Sequence, residues 1–149
     1  MTEGASVSAR IPLQVSRGCV VASVQVDLRP EVLSQLQQDM LELIRMSGAR
    51  AVIIDVSGVD TIDPDEFAAL LRTTEMARLM GAQPVLSGLN AGVVSSLVDL
   101  DVDFGEIEAT RTLDGAFARV DESTVERPPP LPRRVETDDV EDSDDLDPR

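Results

Sequence analysis

Histidine, lysine, tryptophan and tyrosine are all missing from the 149-residue chain, and cysteine occurs once, at Cys19. Without histidine or a second cysteine there is no zinc site, no Ser-His or Cys-His nucleophile and no imidazole acid/base chemistry. The thirteen basic residues are all arginine, which excludes an amine nucleophile and a phosphate-gripping lysine. Phe67, Phe104 and Phe117 are the only aromatic residues, too few to stack bases or sugars. Carboxylates, hydroxyls and the backbone are left as chemical tools, and Val, Leu, Ile, Met and Ala must build the core.

A lone cysteine rules out an intrachain disulfide, and Cys19, set among valines, reads as a buried thiol in a reducing compartment. No segment reaches the ~18 apolar residues of a membrane span, and the opening MTEGASVSARIPLQVSRG has no apolar run after a basic start. A cytoplasmic protein without membrane contact is expected. The net charge of -15 is spread over both parts of the chain, with 17 acidic against 9 basic residues up to Val120 and 11 against 4 beyond it. Nucleic acid is an unsuitable partner for such a surface, because phosphate binding needs a basic face.

Periodicity predicts one α/β domain over residues 10–120, preceded by a disordered segment 1–9 and followed by a disordered tail 121–149. Residues 11–15 alternate as a half-buried strand, and Ser16, Arg17 and Gly18 turn into a valine-rich strand over 19–26. Helical spacing of Val32, Leu33, Leu36, Met40, Leu41, Leu43 and Ile44 predicts a helix over 30–46, with Pro30 in its first turn and Gly48 beyond its end. The apolar run AVIIDV at 51–56 is too short for a helix and suits a strand covered on both faces. Asp63-Pro64-Asp65-Glu66 opens a second helix, to about Met80, with an Asp cap, Pro at the first position and Glu three residues after the cap. A strand at 83–87, a short helix at 91–97, an edge strand at 105–108 and a closing helix at 113–120 complete a mixed sheet of about five strands backed by four helices. The tail combines Pro128, Pro129, Pro130 and Pro132 with a run of Asp and Glu, a composition that does not build a core.

The segment Asp55-Val56-Ser57-Gly58-Val59-Asp60-Thr61-Ile62-Asp63, followed by a helix, Met80-Gly81-Ala82, a strand and Ser87-Gly88-Leu89, resembles the STAS domain family. The resemblance covers residues 10–120. Arg10-Ile11-Pro12, the VQVDL of Val24 to Leu28 and the LMGA of Leu79 to Ala82 are most similar to the small scaffold proteins of the bacterial stressosome, the RsbS type. It implies a non-catalytic STAS fold without cofactor or metal, acting in partner switching. The implied partners are STAS-domain sensor paralogues and a serine/threonine switch kinase, in a homo- or hetero-oligomer. The alternative is a stand-alone antagonist of an anti-sigma factor.

Carried over residue by residue, the family's usual phosphorylated serine falls at Pro64, and a second family hydroxyl falls at Ser87. Proline cannot accept phosphate, so ordinary switching at this position is lost. Asp65 and Glu66 beside it read as helix-capping acids, or else as fixed negative charge standing where the family places its phosphate. Ser87 reads as a strand-end hydroxyl or a second phosphosite. The partner-docking group is therefore Asp63, Pro64, Asp65, Glu66 and Ser87.

Other constellations are weaker. Asp55 at a strand end is similar to a receiver phosphoacceptor, yet neither the lysine nor the acidic pair of that site is present. Asp99, Asp101 and Asp103 alternate like a calcium loop but put Phe104 where that loop needs glycine and Thr110 where it needs glutamate. Asp55, Asp60, Asp63 and Asp65 have no Gly-rich phosphate cradle beside them, and the Pro129, Pro132, Arg134 spacing of an SH3 ligand reads as a linker.

Overall fold

The computed structural model describes residues 10–101 and 107–126. Nine elements follow in order: β1 (Leu13–Ser16), β2 (Cys19–Ser23), α1 (Pro30–Ser47), β3 (Ala51–Asp55), α2 (Pro64–Leu79), β4 (Gln83–Ser87), α3 (Ala91–Asp99), β5 (Glu108–Thr110) and α4 (Leu113–Glu126). The sheet has the order β1-β2-β3-β4-β5, with β1 antiparallel to β2 and every other pair parallel.

The opening hairpin turns at Arg17 and Gly18, both left-handed at φ 53° and 72°, which is the backbone a two-residue hairpin loop requires. β2, β3 and β4 are buried on both faces, which explains their continuous apolar runs. Val20, Ala22, Val52, Ile54 and Leu86 face α1, α2 and α3, while Cys19, Val21, Ala51, Ile53 and Val85 face Ala116, Phe117 and Val120 of α4. Three helices thus cover one face of the sheet and one helix covers the other.

Two arginines fasten α4 to its face. The Arg17 guanidinium lies 4.8 Å from the centre of the Phe117 ring. Arg50 donates to Asp121 Oδ1 at 2.8 Å, to Thr124 Oγ1 at 2.6 Å and to the Arg17 carbonyl at 3.2 Å.

The sequence expectations hold for every element, with shifted ends. β1 begins at Leu13 rather than residue 11 because Ile11 turns into the core at 5% exposure. β5 spans Glu108–Thr110 rather than 105–108, of which residues 105 and 106 lie outside the described residues. α3 runs on to Asp99, and α4 runs past Val120 to Glu126. The segments 1–9 and 127–149, with the Pro129, Pro132, Arg134 spacing, and Asp103 and Phe104 also lie outside the described residues. Among the described residues, no helix is long and apolar enough to cross a membrane.

Candidate functional site

Asp63, Pro64, Asp65 and Glu66 come together at the start of α2, above the carboxyl ends of the parallel strands. The local sequence fixes this turn. Asp63 is extended at φ -82° and ψ 165°, its side chain accepts the Glu66 N–H at 2.8 Å, and the Glu66 carboxylate accepts the Asp63 N–H at 3.1 Å. This reciprocal pair satisfies two N–H groups that the helix itself cannot. Pro64 occupies a position where a missing N–H costs nothing. Ile62 before the cap and Phe67 after it are both buried, which anchors the turn from either side.

The carboxylates of Asp63 and Glu66 are therefore occupied by the helix they open. Asp65 is exposed and makes no side-chain hydrogen bond or ion pair within the described residues. Of the three acids singled out in the sequence, one presents an unengaged charge.

Ser87 stands apart from this group. It ends β4 opposite Asp55, is wholly buried at 0% exposure, and its hydroxyl makes no hydrogen bond among the described residues. In this conformation the Ser87 hydroxyl is closed to a kinase. Asp55 turns its carboxylate onto the Ser57 N–H at 3.0 Å, closing the first turn of the β3–α2 loop.

Two residues outside the expected docking group, Gly88 and Asn90, lock the loops together. Gly88 holds φ +84°, and a Cβ there would meet Ser57 Cβ at 2.7 Å and Ser57 N at 2.9 Å, so only glycine lets the two loops stack. Asn90 accepts the Val93 N–H at 2.8 Å as the cap of α3 and donates to the Val59 carbonyl at 3.2 Å in the other loop. Asn before a helical run is a legible cap signal, whereas its reach to Val59 depends on tertiary placement.

The parallel strands never reverse their order, so this edge lacks the switch-point crevice in which open α/β sheets hold small ligands. What it presents is a braced, exposed turn with a short, rigid surface. The STAS domain family model matches residues 10–116.

The chain belongs to the STAS domain family.

This STAS domain is similar to a protein of Bacillus subtilis in sequence and to several solved structures in fold. It is 24% identical over 83 residues to the RsbT co-antagonist protein RsbRA of Bacillus subtilis, a stretch covering 56% of this chain but 30% of that protein. A variant of RsbS from Moorella thermoacetica shares the fold at a TM-score of 0.68 and 19% identity, over 78% of this chain and 99% of that one. A chain from the molecular architecture of the stressosome, a signal integration and transduction hub, matches at 0.67 and 18% identity, over 76% and 98%. The anti-sigma factor antagonist SpoIIAA in its unphosphorylated form matches at 0.59 and 16%, over 75% and 96%. The STAS fold thus agrees with the sequence reading, and RsbRA is similar to this chain in sequence over part of its length.

Proposed function

We propose that this STAS domain is a non-catalytic, cytoplasmic scaffold of a stressosome-like pathway, docking sister STAS proteins and a serine/threonine switch kinase through the turn that opens α2. The observation that carries the reading is the capped, exposed Asp63-Pro64-Asp65-Glu66 turn, a rigid surface with no hydroxyl at its centre. A docking element needs this combination of fixed shape and exposure, since a preordered surface loses little entropy on binding. Asp65 supplies charge for an arginine of the partner. The kinship with RsbRA and with a stressosome chain supports this choice of partners.

With Pro64 in the acceptor position, kinase docking here is not released by phosphorylation of that residue. Asp63 and Glu66 are engaged in the cap, which leaves Asp65 as the carboxylate beside Pro64 that is free to meet a partner. Substituting Pro64→Ser tests the reading with purified switch kinase and radiolabelled ATP. The expected result is that the wild-type chain retains kinase and takes no phosphate at the turn, while the variant is phosphorylated and releases kinase. A wild-type chain that retains no kinase, or is phosphorylated within the turn, would contradict it.

The likeness to SpoIIAA, over 96% of that chain, favours a second reading as a stand-alone anti-sigma factor antagonist. A one-to-one complex with an anti-sigma factor would establish that reading in place of the scaffold.

A further inference from the structure

The loop that carries the Asp63–Glu66 turn leaves β3 at Asp55 and is held against the end of β4 and the residues after it. Val56 donates its N–H to the Ser87 carbonyl at 2.9 Å, Gly88 packs directly on Ser57, and the Val59 carbonyl accepts from Asn90 Nδ2 at 3.2 Å. The Asn90 bond stands nearest to the cap. Beyond it, Asp60 and Thr61 are exposed between the buried Val59 and Ile62, so the approach to Asp63 is an arch resting on two inward side chains. The two ends of the Asn90 amide have separate tasks. Oδ1 accepts the Val93 N–H and caps α3, while Nδ2 reaches across to Val59. One partner is a donor and the other an acceptor, so a single orientation of the amide satisfies both. A helix cap requires only the oxygen, which aspartate or serine also supplies. The nitrogen serves nothing in α3, and its use lies in the loop that leads to the docking turn.

We infer that Asn90 is a positioning residue for the α2 docking turn: by holding the Val59 carbonyl it fixes the arch of residues 59–62, and through it the place of Pro64 and Asp65. It acts through Val59 and not by contact with the partner. The inference rests on the reading of that turn as a docking surface, and it names a determinant of its affinity that lies on a different element. An arch ordered in advance spares the partner the entropic cost of ordering it. Without the Nδ2 donor that cost returns to the binding step, while β3, β4 and the capped α3 keep their structure.

Asn90→Asp keeps the cap acceptor and deletes the donor, and Asn90→Ser does the same with a shorter side chain and no added charge. Amide hydrogen exchange of the full chain, followed by NMR without any partner, is the first readout. In both variants the Asp63 and Glu66 N–H groups are expected to exchange about fivefold faster than in the wild type, the range of one lost hydrogen bond, while the Val93 N–H keeps its protection. A residue that only caps α3 would leave Asp63 and Glu66 unmoved. Titration with purified switch kinase is the second readout, with affinity expected to fall about fivefold in both variants. Unchanged exchange at Asp63 and Glu66 in the two variants would overturn the inference, as would faster exchange with unaltered kinase affinity. A wild-type chain that binds no kinase would remove the docking reading alone, and the exchange of Asp63 and Glu66 would still decide whether Asn90 positions the turn.

Discussion

At Cys19, burial at the sheet face under α4 pushes the thiol pKa above its ordinary 9.0, against the smaller opposing effect of Arg50. The folded chain therefore keeps its proton at a pH where the unfolded chain has released it, so the contribution to stability is complete below the unfolded pKa and falls as pH rises above it. Urea midpoints should decline above about pH 9 in the wild type, less so in Cys19→Ala, and alkylation should await unfolding. Rapid native alkylation would show the thiol to be open. Burial of this residue was legible from its valine neighbours. The partners of Arg50 were not, since Asp121 and Thr124 lie far along the chain and meet it only after α4 docks.

The elements themselves were largely legible, for physical reasons specific to each. AVIID and QPVLS are central strands buried on both faces, so a short apolar run was sufficient signal. β1 and β5 lie at the sheet edges, where little apolar surface is covered, and their ends were set by local packing such as the inward turn of Ile11. The start of α2 was fully encoded in DPDE. Asp63→Ala removes the acceptor for the Glu66 N–H and is expected to cost about 1 kcal/mol, whereas Asp63→Asn should retain most of the stability. Denaturant titration of the two variants distinguishes a working cap from a solvated acid, for which they would be equivalent. The coupling of this turn to α3 through Asn90 and Gly88 left no trace in linear spacing, because it arises from two loops meeting above the sheet.

For the whole molecule, the sequence placed the end of the domain near Val120, but α4 continues to Glu126 and its Asp121 and Thr124 bind Arg50. A chain ending after Glu126 is expected to melt like the full chain. A chain ending after Val120 loses two of the three acceptors of Arg50 and should melt about 5 °C lower, a shift worth about 1 kcal/mol in a domain of this size. Equal midpoints by calorimetry would mean that the last turns of α4 add nothing. A net charge of -15 is expected to favour partners that bring arginine or lysine. Scaffolding is the central claim, and light scattering of the purified chain mixed with a sister STAS protein and a switch kinase tests it most directly. A particle many times heavier than the 16.0 kDa chain, containing all three proteins, is the predicted result. A mixture in which the chain binds neither protein, or stays in a small one-to-one complex, would contradict it.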